Sequence, residues 1–99
     1  MVGIDSADID CEYMDLRVHV STSAMLHLDE FDMEPDALCG MIHDPINCPK
    51  GKRGKPFKRG TIQVCSKRDR HVFSILMCID YNHRVQKNVC LVTHLKPIA

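Results

Sequence analysis

Val72-Phe73-Ser74-Ile75-Leu76-Met77-Cys78-Ile79 is the most apolar run of the chain, and its reading decides the fold. Rich in apolar side chains and bounded by polar connections, it reads as a strand in the middle of the core. Two more strand candidates flank it, Gly60 to Ser66 and Asn88 to Leu95. They are joined to the His71 to Ile79 strand by the polar connections Lys67 to Arg70 and Asp80 to Lys87. Three strands with short polar connections form a meander, so the second half of the chain is expected to be an antiparallel sheet.

Upstream, the pattern changes from strand to helix. Leu16-Arg17-Val18-His19-Val20 alternates and fits a short strand. Ser21-Thr22-Ser23 then offers hydroxyl caps for a helix to about Glu30, with Ala24, Leu28 and Phe31 on its buried side. A second helix is expected from Pro35, since proline suits the first helical position. Its Leu38, Met41 and Ile42 follow the three-and-four spacing of a buried face. Asp44 precedes Pro45 and should end it. The acidic stretch Met1 to Asp15 is expected to be a flexible tail, leaving one domain over residues 16–99. The expected fold class is α+β, with two N-terminal helices packed on an antiparallel sheet of three to four strands.

The formal net charge is zero, yet the charges are sorted along the chain. Residues 1–46 hold eleven acidic and one basic side chain, whereas residues 47–99 hold twelve basic and two acidic. The basic part points to a polyanion, with nucleic acid first. Lys50, Lys52, Arg53, Lys55, Lys58 and Arg59 crowd a glycine- and proline-broken loop, and Lys67, Arg68 and Arg70 follow in a turn. These nine are the candidate nucleic-acid-binding residues. Phe57 is the sole aromatic in the loop, so base-specific stacking has little to stand on. No stretch approaches the ~20 apolar residues of a membrane span. The acidic start lacks the pattern of a secretory signal, so a cytoplasmic protein without a membrane partner is expected.

In that setting the six cysteines are expected to be reduced. Cys65, Cys78 and Cys90 fall in strand-like runs, where free cysteine packs as a small hydrophobe. Cys39, His43 and Cys48 come closest to a metal pattern, but a structural zinc site needs four ligands, so no metal and no cofactor is expected. His19, beside Val18 and Val20, suits an edge-strand role. His43 suits a helix end, where a cation meets the helix dipole favourably. His71 and His83 read as turn and loop residues.

The stretch from Thr22 to Ile42, Thr22-Ser23-Ala24-Met25-Leu26-His27-Leu28 through Leu38-Cys39-Gly40-Met41-Ile42, resembles the two-helix opening of the MqsR toxin family and of a related uncharacterised family. Val89-Cys90-Leu91-Val92-Thr93-His94-Leu95 is similar to their closing strand, and Val72 to Leu76 to the strand before it. The resemblance implies a RelE-like fold, messenger RNA cleavage without a metal, on free or ribosome-bound message, and a cognate antitoxin protein as partner. It also implies a site with His27 on the first helix facing a sheet that bears Lys58, Arg59 and His94. The uncharacterised family carries histidine and arginine on its first helix, where this chain has Ser23 and His27.

RNA cleavage of this kind needs a base for the ribose 2′-hydroxyl, cations for the phosphorane and an acid for the leaving oxygen. Histidine suits both proton transfers. His27, Lys58, Arg59 and His94 are therefore the candidate catalytic residues. Two other classes compete with a toxin-like endoribonuclease: an inert nucleic-acid or ribosome binder on the same scaffold, and a protein-interaction module pairing acidic and basic halves.

Overall fold

The computed structural model describes residues 6–49 and 59–98. They run β1 (Ser6–Tyr13), β2 (Leu16–Ser21), α1 (Thr22–Glu30), α2 (Pro35–Ile42), β3 (Ile62–Arg68), β4 (His71–Asn82) and β5 (Lys87–Pro97). The five strands form one sheet in the order β1-β2-β5-β4-β3. This overturns the expected architecture of two N-terminal helices on an antiparallel sheet of three to four strands. The described chain opens on strands, the sheet has five of them, and it is mixed, because β2 runs parallel to β5 through Val18–Cys90, His19–Leu91 and Val20–Val92.

The segment expected to be a flexible tail supplies the edge strand β1. Ile9 and Cys11 alternate with Asp8, Asp10 and Glu12, so the apolar pair turns inward while the acids face water. A bulge between Asp8 and Glu12 breaks the ladder, with Asp10 at φ 56°. There the Asp8 carboxylate accepts from the Asp10 backbone N–H at 2.9 Å, and Arg17 pairs with Asp8 at 2.8 Å and Asp10 at 3.2 Å. The Asp10 N–H, followed by Arg17, holds the Asp8 carboxyl below its usual pKa. An edge strand that is bulged and charged on its outward positions is protected against pairing with another chain.

Local signals set the helices. Ser21 caps α1, its Oγ accepting from the Ala24 N–H at 3.2 Å, and Pro35 opens α2. α1 packs against β5 and β2, and α2 against β1 and β3. Leu28, Leu38, Met41 and Ile42 join Val18, Val20, Ile75, Met77, Val92 and Leu95 in one core. The apolar run expected in the middle of the core supplies part of it. Phe73, Ile75 and Met77 are buried, but Ile79 is 49% exposed and β5 takes the middle position.

Four of the six cysteines are bonded, contrary to the reduced thiols expected. Cys11–Cys39 ties β1 to α2, and Cys48–Cys65 ties the segment after α2 to β3. The helix is thereby fastened toward both edges of the sheet. Ile46 adds a bridge to Cys65, its N–H donating to the Cys65 carbonyl at 2.8 Å, and Ser66 Oγ donates to the Asp44 carbonyl at 3.0 Å. Cys90 is buried and free, Cys78 half-buried and free. Among the described residues no helix is long and apolar enough to cross a membrane.

A candidate two-histidine site at the end of the central strand

β2 accompanies β5 only as far as the Val20–Val92 pair and then turns into α1. Beyond Val92 the flank of β5 that faced β2 has lost its strand partner, and a buried carbonyl there needs another donor. His27, one and a half turns into α1, supplies it: Nδ1 lies 2.5 Å from the Leu95 carbonyl oxygen. A carbonyl only accepts, so Nδ1 carries the proton and neutral His27 keeps its lone pair on Nε2.

On the other flank β4 and β5 lose register between Leu76 and Met77, which leaves Thr93 unmatched between the pairs Leu76–His94 and Met77–Val92. Such bulges re-aim side chains. Thr93 Oγ1 donates to the Leu76 carbonyl at 3.3 Å, which commits its only proton, so it accepts from His94 Nδ1 at 3.2 Å. His94 is thereby set in the same tautomer as His27, with Nε2 free. The two rings stand edge to face with centroids 6.3 Å apart.

They border an open pocket of about 250 Å³ lined by His27, Ser74, Leu76, His94 and Lys96. Strand alternation and register put Gln63 and Lys67 of β3, Ser74 and Leu76 of β4, and His94 and Lys96 of β5 on one face. Ser74 is buried and accepts from Gln63 Nε2 at 2.9 Å. The pocket floor is thus a hydrogen-bonded serine and a leucine. Its rim holds two imidazoles and an ammonium, a set suited to moving protons at a bound anion.

Of the four candidate catalytic residues, the fold brings His27 and His94 together. Arg59 is exposed in the turn before β3 and does not line the pocket. Lys58 lies outside the described residues, as do Lys50, Lys52, Arg53, Lys55 and Phe57. Lys67, Arg68 and Arg70 sit at the β3–β4 hairpin, where Arg68 approaches Asp69 at 3.9 Å. Lys96 was missed in the sequence although the spacing His94-x-Lys96 puts both on one face of a strand. Ser74 had a signal too, since a hydroxyl inside an apolar run calls for a partner.

The remaining histidines have structural partners. His19, expected at an edge, is 4% exposed on the second strand of the sheet; its Nδ1 lies 3.2 Å from Ser6 Oγ and 3.4 Å from Asn82 Nδ2. His43 caps α2, with Nε2 2.6 Å from the Glu12 carbonyl. His71 meets Phe73 edge to face, and His83 meets Tyr81 in the same way. Among the described residues the one His, Cys, Asp and Glu group with metal-ligand spacing is Cys11, Cys39 and His43; Cys48, part of the nearest metal-like pattern in the sequence, is bonded to Cys65 instead. The chain matches no protein-family model, no curated protein and no solved structure.

Proposed function

We propose that this chain is a small endoribonuclease that cleaves single-stranded RNA without a metal ion, using His27 and His94 as its proton-transfer pair. The convergence of these two rings, from the first helix and the last strand, carries the reading. In the reaction His27 Nε2 takes the proton of the ribose 2′-hydroxyl, whose oxygen attacks the adjacent phosphorus. The bond to the 5′-oxygen breaks as His94, which enters this step protonated on both ring nitrogens, delivers its Nε2 proton to it. The products are a 2′,3′-cyclic phosphate and a 5′-hydroxyl end. Lys96 replaces Lys58 and Arg59 as the cation beside the developing phosphorane charge. Lys67 on the same face, with Arg68 and Arg70 at the hairpin, extends a positive track along which the strand lies.

The ribosome and a cognate antitoxin enter on the resemblance to MqsR alone. Disulfides persist in oxidising compartments and are rare in a reducing cytosol. The cytoplasmic setting is thus kept for the reduced form of the chain and an oxidising compartment for the bonded one.

The test is incubation of the purified chain with end-labelled single-stranded RNA in excess chelator, with His27→Ala and His94→Ala alongside. Cleavage to cyclic-phosphate ends, lost in both variants by about 10²-fold or more, supports the reading. Intact RNA with wild-type protein, or cleavage that survives in both variants, removes it.

A further inference from the structure

The disulfide between β1 and α2 has a third partner in space. Cys11 Sγ, Cys39 Sγ and one ring nitrogen of His43 all lie within 4.8 Å of one another. Cys39 and His43 are one helical turn apart on α2 and its cap, so both face the same strand, and that strand presents Cys11. The His43 ring is already held as a ligand would be. Its Nε2 lies 2.6 Å from the Glu12 carbonyl, which can only accept, so the proton sits there and the lone pair is on Nδ1. Metal-bound histidines almost always make this bond to a carbonyl or carboxylate with the nitrogen that does not bind. Tyr13 packs edge-on against the ring, with centroids 6.3 Å apart.

We propose that Cys11, Cys39 and His43 form a redox-gated zinc site, closed by the disulfide when oxidised and loaded when reduced. An external dithiol gives two electrons and two protons to the Cys11–Cys39 bond, becoming a disulfide itself and leaving two thiols. Zinc then displaces both thiol protons and takes two sulfurs and the His43 lone pair. Thiolates bind zinc at about 2.3 Å in tetrahedral array, so the sulfurs need part to only roughly 3.8 Å. The Cα atoms, 5.9 Å apart, allow that separation by side-chain rotation. Cys11 is buried, Cys39 half-buried and His43 exposed, so the open side of the site faces solvent and water completes the shell. The metal preserves the link between β1 and α2 in a reducing environment, where the bare disulfide would be lost. Cys48 pairs with Cys65 in the oxidised chain and is not among the three clustered ligands.

The experiment reduces the full chain with a phosphine, removes the reductant without air, and titrates Co²⁺ as a spectroscopic stand-in for zinc. The expected result is one equivalent bound with thiolate-to-cobalt and tetrahedral ligand-field bands. Zn²⁺ should displace it, and the oxidised chain should not bind. His43→Ala should weaken binding at least about tenfold, whereas His71→Ala should leave it unchanged. A Cys48→Ala, Cys65→Ala double variant should keep the bands. Absence of the bands at one equivalent, equal binding by the oxidised chain, or indifference to His43→Ala overturns the proposal; the His43 comparison decides if the double variant fails to fold.

Discussion

The His27 ring and the Leu95 carbonyl meet at 2.5 Å, where β2 has left the sheet and β5 continues without it. One contact therefore does two jobs: it satisfies a backbone acceptor that a strand would otherwise have satisfied, and it fixes which nitrogen of His27 is free for chemistry.

The equivalent support for His94 is Thr93, and its removal is a test of positioning. Thr93→Val leaves the His94 Nδ1 and the Leu76 carbonyl without their present partner. RNA cleavage is expected to fall about tenfold, or ~1.4 kcal/mol in barrier. The drop should appear in the chemical step under single turnover, with RNA affinity unchanged. Thr93→Ser should restore the rate.

If RNA follows the positive track, Lys67→Ala and Arg70→Ala should weaken binding alike for every sequence. Each should also reduce the slope of log affinity against log salt by roughly 0.7, the value for a lost phosphate contact on a single strand. Fluorescence anisotropy with labelled RNA between low and moderate salt reads both quantities.

Burial pushes the Cys90 thiol up to about 11 from the ordinary 9.0, with a lesser contribution from Cys78. With a raised folded value, its contribution is fully present below the unfolded pKa and is lost as pH rises through the window from 9.0 to about 11. A separation of that size corresponds to about 3 kcal/mol across that window. The denaturant midpoint of the wild-type chain should fall relative to that of Cys90→Val as pH rises through it. Parallel lines would mean that the thiol plays no part.

The β1–β2 and β3–β4 hairpins both turn through two residues of positive φ, Met14 at 55° and Asp15 at 62°, then Asp69 at 50° and Arg70 at 72°. Such turns favour Asn-Gly, and a left-handed side chain costs about 1–2 kcal/mol. Met14→Asn with Asp15→Gly should raise the thermal midpoint by about 4–8 °C per kcal/mol gained. No rise would place the strain elsewhere.

Cys48 and Cys65 close a loop with a sequence separation of 17. By chain entropy that bond contributes about 3 kcal/mol. Cys48→Ala with Cys65→Ala should lower unfolding free energy by that order in urea titration, most of the loss arising in the unfolded chain.

What the sequence disclosed, and what it hid, divides by distance along the chain. The cap at Ser21, the proline that opens α2 and the three strands after Gly60 rest on neighbours, and the elements lie where those neighbours put them. β1 was hidden by its acids: the charge of Asp8, Asp10 and Glu12 outweighed the alternation of Ile9 and Cys11, which was equally visible. The parallel pairing of β2 with β5, and the partners of Cys11 and Cys48, depend on residues distant in sequence, and no local pattern encodes them. The site shows the same split. His27 and His94 were named through a resemblance, Lys96 was legible two residues on from His94 along one strand face, and Thr93 follows from a bulge that only the assembled sheet reveals.

β5 is last of the seven described elements in chain order and third of five in the sheet. During synthesis the β1–β2 hairpin and both helices therefore emerge before the strand that joins them to the rest of the sheet. Until residues 87–97 follow, their apolar faces wait in water and the site's two histidines cannot meet. Pairing over so long a span makes folding slow. Cys11 and Cys39, by contrast, are both available well before that, so the link between β1 and α2 can form first and shorten the search that β5 completes.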